Sequence, residues 1–315
     1  MKEEKLTILG SGTMGHSIAL TAALSGLSVK VWGNTEQDIA NGARGVREKL
    51  QILLQNEAIT EEEKNKTGER IQFSINWEDA LEGATFIIEA IPEILQLKQD
   101  FFQKLDQQCP SDVILASNTS GLSPTAIAIN TKDPGRTIVT HFWNPAHLIP
   151  LVEVVRGEKT TDQTVDRAMA MIKKMNKKPI LVKKDILGSI GNRLQYALFR
   201  EAQYILEQGV ASMEDIDDAV RYSLGRRLPV TGPFMTADMG GLDVFHAISS
   251  YLFPDLCKED GSLASMRQLV DQGKYGQKNG AGFYHWTPEF SAKMSEAREK
   301  ELIEWLKKDR ASEGW

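Results

Sequence analysis

The stretch "LTILGSGTMGHS", residues 6–17, decides the fold. Residues 6–9 are a short apolar run and read as a buried strand. Gly10, Gly12 and Gly15 follow in the spacing G-x-G-x-x-G, and a helical pattern runs from about Met14 to Ser25. The spacing alone is a weak signal, and a glycine-rich turn without a ligand is the bland alternative. A strand before it and a helix after it supply the context of a dinucleotide-binding turn. Gly10 permits the tight turn, Gly12 lets the backbone approach a pyrophosphate, and Gly15 lets helix and strand pack closely. The helix N-terminus offers free N–H groups and a partial positive charge to the phosphates. Gly10, Ser11, Gly12, Thr13, Met14 and Gly15 are therefore candidate cofactor-binding residues.

Immediately downstream, "VKVWGNTEQD" (29–38) carries the end of a second strand, 28–32. An acid expected there would accept hydrogen bonds from a ribose 2′-hydroxyl and repel a 2′-phosphate. Gly33 stands in its place, with the neutral Asn34 and Thr35 beside it and Arg44 and Arg47 distant in sequence. The expectation is a site for NAD or NADP with weak discrimination between them, involving Gly33 and Asn34.

Working outward, residues 36–67 read as a helical pair and 94–107 as a helix. Short apolar runs at 71–73, 85–88, 113–116, 137–140, 151–155 and 179–182 read as strands. Strands alternating with helices imply an α/β fold, a doubly wound, mostly parallel, Rossmann-type sheet. After Lys184 the pattern turns helical, as in "NRLQYALFREAQYILEQG" (192–209), and Ser212 with Asp215 looks like a helix start. A last strand is expected at "GFYHW" (282–286). The expected division is a dinucleotide-binding domain over 1–185 and a smaller, mostly α-helical domain over 186–315. The lysine run "KKMNKKPILVKK" (173–184) reads as a solvated helix end.

Composition narrows the function classes. The chain has 315 residues, 41% hydrophobic and 25% charged, with a net charge of −6. That balance argues against a nucleic-acid partner. No apolar run suits a membrane span or a signal peptide. Cys109 and Cys257 form no CxxC, which fits a reduced, cytoplasmic protein.

Two polar segments follow buried strands: "ILASNTSGLSPT" (114–125) and "THFWNPAHLIPLVEVV" (140–155). In open α/β sheets both belong at the carboxyl edge, near the cofactor. Glu153 lies inside the apolar run "LVEVV", and a carboxylate there needs a partner. The turn "NPAHLIP" could fold that strand back beside His141. A carboxylate on one imidazole nitrogen fixes the tautomer and leaves the other nitrogen as a base, which suits oxidation of an alcohol. A structural hydrogen bond is the ordinary role of a lone strand-end histidine. A metal site from His141, His147 and Glu153 fits poorly, since the spacing resembles no helical ligand pair, so no metal is expected.

With these residues in view the sequence resembles the 3-hydroxyacyl-CoA dehydrogenase family. The matching segments are "GSGTMG" (10–15), "EAIPEILQLK" (89–98), "SNTSGL" (117–122), "HFWNP" (141–145), "PLVEV" (150–154), "GNRLQ" (191–195), "GPF" (232–234), "GGLD" (240–243) and "KYGQKNGAGFY" (274–284). The resemblance implies a helical C-terminal domain that dimerises. It implies His141 as catalytic base with Glu153 as partner, and Ser120 and Asn192 around the substrate oxygen and the histidine. Glu93, Lys98, Asn118, Asn144 and Lys278, with Ser120, would line the cofactor. Without the resemblance, Asn192 reads as a helix cap and Lys278 as a solvated charge.

The resemblance implies an NAD(P)-dependent oxidoreductase interconverting an L-3-hydroxyacyl substrate and its 3-keto form, with 3-hydroxyacyl-CoA first. A small free 3-hydroxy acid or betaine is the alternative, because "HLIPLVEV" and "NRLQYAL" look like the L-gulonate and carnitine dehydrogenase branch. Only Lys64, Lys66 and Arg70 in the helical insertion (50–70) could meet CoA phosphates, and "LGS" (187–189) replaces the usual "PGF". A non-catalytic, crystallin-like protein is a third reading. The lysine-based beta-hydroxyacid dehydrogenases are rejected, since "GSIGNRLQY" holds no lysine.

Overall fold

The computed structural model describes residues 4–311. They form two compact units: 4–190 with 296–311, and 191–295. The expected second domain ran to the C-terminus, whereas the stretch from 296 belongs to the first unit.

The first unit holds an eight-stranded sheet, ordered β3-β2-β1-β4-β5-β6-β7-β8. Its strands and helices alternate along the chain: β1 (Leu6–Leu9), α1 (Thr13–Leu24), β2 (Val29–Trp32), α2 (Glu36–Gln55), α3 (Glu61–Glu69), β3 (Ile71–Ser74), α4 (Trp77–Leu81), β4 (Phe86–Glu89), α5 (Leu95–Gln108), β5 (Ile114–Ser117) and α6 (Pro124–Ile127). Then come β6 (Thr137–Phe142), β7 (Leu151–Arg156), α7 (Asp162–Lys174) and β8 (Lys178–Val182). All pairings are parallel except β6 with β7.

The central strands β1, β4 and β5 are buried along their whole length, as a sheet covered on both faces requires. Alternate residues feed two cores. Ile8, Ile88 and Ala116 join Ile18 and Ala22 of α1 and Ile172 of α7, while Leu9, Ile87 and Leu115 join Phe102 and Leu105 of α5. Thr35 and Thr60 start α2 and α3 with capping boxes to Asp38 and Glu63, which explains why these polar helices begin where they do. The buried end of α2, with Leu50 and Leu53, packs with Leu20, Leu148 and Ile303. Successive strands are laid down outward from β1 to β2 and β3 on one side, then from β4 onward on the other, so the crevice above β1 and β4 is the switch point where such sheets bind ligands.

The second unit holds α8 (Gly191–Glu207), α9 (Met213–Tyr222), α10 (Leu224–Arg227), α11 (Pro233–Gly240), α12 (Leu242–Asp255) and α13 (Ala264–Asp271). The helix α14 (Pro288–Ala311) begins in it and ends in the first unit. No strand forms at 282–286: only isolated bridges join Gly276 to Ala281 and Ala281 to His285. Positive φ angles at Gly276 and Gly280 fold this segment into tight turns instead. The lysine run also departs from expectation. Lys173 and Lys174 end α7, but Lys177 is only 4% exposed.

Candidate active site

The glycine turn leaves β1 with Gly10 at φ +111°, and a Cβ there would lie 2.6 Å from Ala90 O. At Gly15 a Cβ would lie 1.7 Å from Gly10 O, so only glycine lets α1 pack against the turn. Gly12 differs, since nothing lies within 4 Å of its Cβ position. Gly12 is also the N-cap of α1, which has no side-chain cap and no acid in its first turn. Thr13 is exposed, Met14 half-buried, and Ser11 Oγ is buried with no hydrogen-bond partner. Open space at Gly12, uncapped helical N–H groups and an unpartnered hydroxyl together fit a dinucleotide pyrophosphate.

Behind the turn, Lys49 of α2 donates to His16 Nε2 at 2.9 Å, so His16 Nδ1–H donates to Ser11 O at 3.2 Å. Burial, aided by the Lys49 charge, lowers the His16 pKa. Neither residue was legible in the sequence, where His16 is one polar position on a helix.

Four strand ends converge beside the turn, since β1, β4, β5 and β6 are parallel neighbours. At β4, the buried Glu89 accepts from Ile91 N at 2.7 Å, Lys98 Nζ at 2.5 Å and Ser117 Oγ at 2.6 Å. Burial pushes the Glu89 carboxyl above its usual range, against the Lys98 ammonium. Lys98, 1% exposed, also meets Glu93 Oε2 at 3.3 Å. Lys98 was expected to line the cofactor; its ammonium is held among Glu89, Glu93 and Ile91 O. Glu93 accepts from Thr119 Oγ1 at 2.5 Å and Ser120 N at 2.9 Å. Burial works against its charged form, but Thr119, Lys98 and Ser120 outweigh it and hold Glu93 below the usual carboxylate range. Lys98 thus fixes Glu93, and Glu93 fixes the exposed Ser120.

Asn118 closes the gap to the next strand, accepting from Phe142 N through Oδ1 at 2.9 Å. His141 pairs with Glu153 in the antiparallel register of β6 and β7. His141 Nδ1 and Glu153 Oε2 are 2.8 Å apart, and both residues are buried. Glu153 also accepts from Trp143 Nε1 at 3.3 Å and, through Oε1, from Ile190 N at 2.8 Å. The last bond ties the residue just after "LGS" to the pair, and sequence reasoning missed it because a backbone donor leaves no residue-type signal. Asn144 is exposed just beyond β6. His147 turns away from the pair and bonds Ser17 at 2.9 Å. Among the described residues no cluster of His, Cys, Asp and Glu is placed to hold a metal.

At the end of β2, Gly33 is buried, and a Cβ there would come within 2.8 Å of both Ser11 Oγ and Ile39 Cδ1. Asn34 is exposed. The Asp38 carboxylate is spent on the capping box, accepting from Thr35 N at 3.1 Å and Thr35 Oγ1 at 2.8 Å. Asn192 lies in the first turn of α8, and Lys278 is exposed between Gly276 and Gly280, both in the second unit.

Comparison with known proteins settles the family. The family model described as 3-hydroxyacyl-CoA dehydrogenase, NAD binding domain, matches residues 5–186, and the corresponding C-terminal domain model matches 188–286. The chain belongs to the 3-hydroxyacyl-CoA dehydrogenase family. It is an NAD-dependent oxidoreductase of that type, acting on CH–OH groups. Among its relatives is 5-formyl-3-hydroxy-2-methylpyridine 4-carboxylate 5-dehydrogenase of Mesorhizobium japonicum, 33% identical over 95% of this chain and 96% of that protein. A probable 3-hydroxybutyryl-CoA dehydrogenase of Bacillus subtilis is 36% identical over 91% of this chain and 98% of that one. The crystal structure of a 5-formyl-3-hydroxy-2-methylpyridine 4-carboxylic acid 5-dehydrogenase, described as an NAD+-dependent dismutase, superposes with a TM-score of 0.89 at 32% identity, covering 98% and 99% of the two chains.

Proposed function

We propose that this family member oxidises a small free carboxylic acid bearing a CH–OH carbon, with His141 as the base. The supporting observation is the 2.8 Å bond from His141 Nδ1 to the buried Glu153 carboxylate. Glu153 accepts a hydrogen bond from Nδ1–H, which leaves the Nε2 lone pair to take the substrate hydroxyl proton. Glu153 then stabilises the imidazolium that forms, while Trp143 and Ile190 keep the carboxylate oriented. Bound NAD supplies the hydride acceptor. Ser120, held by Glu93, binds the substrate oxygen, and Asn192 is a candidate that the family resemblance supplies. Asn118, Asn144 and Lys278 are assigned to the cofactor.

Charge favours a free acid over a CoA ester. Residues 50–70 hold five carboxylates against three cations, a poor field for CoA phosphates. The three cations are engaged within the chain: Lys64 with Glu61 at 3.0 Å, Lys66 with Glu62 at 2.5 Å, and Arg70 with Ala23 O at 3.2 Å. Hydrated aldehydes belong to the same substrate class, because a CH(OH)2 carbon gives up a proton and a hydride as an alcohol carbon does. Full-length similarity to the pyridine-carboxylate dehydrogenase favours that member of the class. Steady-state NAD+ reduction tests the choice, using 3-hydroxybutyrate, L-gulonate, carnitine and 5-formyl-3-hydroxy-2-methylpyridine 4-carboxylate against 3-hydroxybutyryl-CoA. A free acid with at least tenfold higher kcat/KM than the CoA ester supports the reading, and the reverse order overturns it.

Two finer features belong to the same reading. No carboxylate ends β2, so NAD and NADP are weakly discriminated. The protein is also a homodimer through its second unit. No residue of α9, α10, α11 or α12 is buried, and Phe234 is 88% exposed. Apolar exposure on that scale calls for a partner surface, which a second copy supplies. Sedimentation equilibrium at micromolar concentration should give twice the chain mass.

A further inference from the structure

A cavity of about 250 Å3 lies in the first unit, behind the cofactor helix α1. Leu24, Leu53 and Leu306 give it apolar walls, and Thr21, His147 and Lys177 give it one polar end. His147 and Lys177 are both at least nine-tenths buried. The proposed catalysis uses neither of them.

Hydrogen bonding fixes what the polar end presents. Ser17 Oγ meets His147 Nδ1 at 2.9 Å, the bond that its hydroxyl makes among the described residues. With the serine donating, Nδ1 accepts and Nε2 carries the imidazole proton, the tautomer that the proposed site uses. Burial, helped by Lys49 and Lys177, pushes the His147 pKa down to about 3, so the ring stays neutral. Lys177 Nζ donates to Ile149 O at 3.0 Å, which leaves two further N–H groups. The polar end is thus rich in donors. Arg310 also lines the cavity, but its guanidinium is held by Ala58 O and Glu63.

We propose that this cavity is a second binding site, for a small monocarboxylate with an apolar body, held by Lys177 and His147. The volume lies below the roughly 300 Å3 at which drug-sized pockets begin, so it suits a short-chain or single-ring acid. Asp309 also lines the cavity and faces Lys177, so the donors of Lys177 and His147 suit one carboxylate at most, and a phosphate dianion would remain under-compensated. The site does not rest on the substrate reading above, since its residues are separate from His141, Glu153 and Ser120.

Protonation of Lys177 accompanies binding. The titratable groups facing it are Asp309 of α14 and His147. Burial pushes the lysine down to about 7 against the pull of Asp309, and His147 is neutral throughout the working range. Affinity for a carboxylate should therefore fall as pH rises above about 7.

The test is calorimetric titration of the NADH-saturated protein with hexanoate and with hexanol. The expected result is one hexanoate per chain, with binding at least tenfold weaker for hexanol and at least tenfold weaker in Lys177→Met. Retained NADH affinity checks that the variant is folded. Hexanoate binding unchanged in Lys177→Met, or no saturable binding to the parent, overturns the proposal. Should Lys177→Met fail to fold, trace acetylation of the parent decides by peptide mass. Hexanoate should slow Lys177 modification severalfold, and an unchanged rate overturns the site.

Discussion

Glu89 and Glu153 begin alike: each is an acid in an apolar strand, each is fully buried, and each pairs with one basic side chain. Their partners separate them. Lys98 spends its ammonium on Glu89, Glu93 and Ile91 O, so that pair is closed and can only hold Glu93 and the loop beyond it. His141 uses one nitrogen on Glu153 and keeps another for chemistry. A buried carboxylate therefore marks a site without naming its job. Whether its partner keeps a nitrogen lone pair free to take a proton decides between scaffold and catalyst.

The sharpest way to break this contrast is to remove the two bases in turn. His141→Asn should lower kcat by about three orders of magnitude with NADH affinity nearly intact, because the base acts in the transition state. Retention of most activity would end its assignment as base. Lys98→Met should instead act on folding, with a loss of about 3 kcal/mol in urea unfolding from leaving Glu89 without its cation. Neutralising the acid costs less. Glu89→Gln leaves Lys98 with Glu93, so roughly 1–2 kcal/mol of stability is expected to go and turnover should change only severalfold. A collapse of kcat with normal stability would show that Glu89 reaches the chemistry. Smallest is Gly33→Asp at the cofactor end. A new carboxylate favours NAD, but its Cβ must displace Ser11 Oγ and Ile39 Cδ1 from 2.8 Å, so a net shift of about 1 kcal/mol in relative kcat/KM is expected. A parent enzyme that already rejects NADP strongly would show that another residue does the discriminating.

Much of the fold was legible because the signals were local. The glycine spacing, the eight apolar runs and the Ser212–Asp215 helix start each act within a few residues, and β1 through β8 lie where the runs stand. His141 and Glu153 were legible because an acid in an apolar strand demands a partner and the strand-turn-strand geometry offered one. The same physical argument holds for Glu89 in "TFIIEA" (85–90), an acid that ends an apolar strand and needs a partner. The burial of Lys98 was not legible because burial of a helix lysine depends on which carboxylates the fold brings beneath it, a long-range fact. Lys177 was misread for the same reason, since a run of lysines looks solvated until α14 covers one of them. The Ile190 N–H leaves no trace in any pattern of side chains.

The central claim is that Glu153 acts through His141, and a double-mutant cycle on kcat tests it most directly. Glu153→Gln alone should lower kcat by about two orders of magnitude or more, and the double variant with His141→Asn should fall no further than His141→Asn alone, because residues acting as one unit are not additive. Losses that multiply in the double variant would contradict the account and give Glu153 a role of its own.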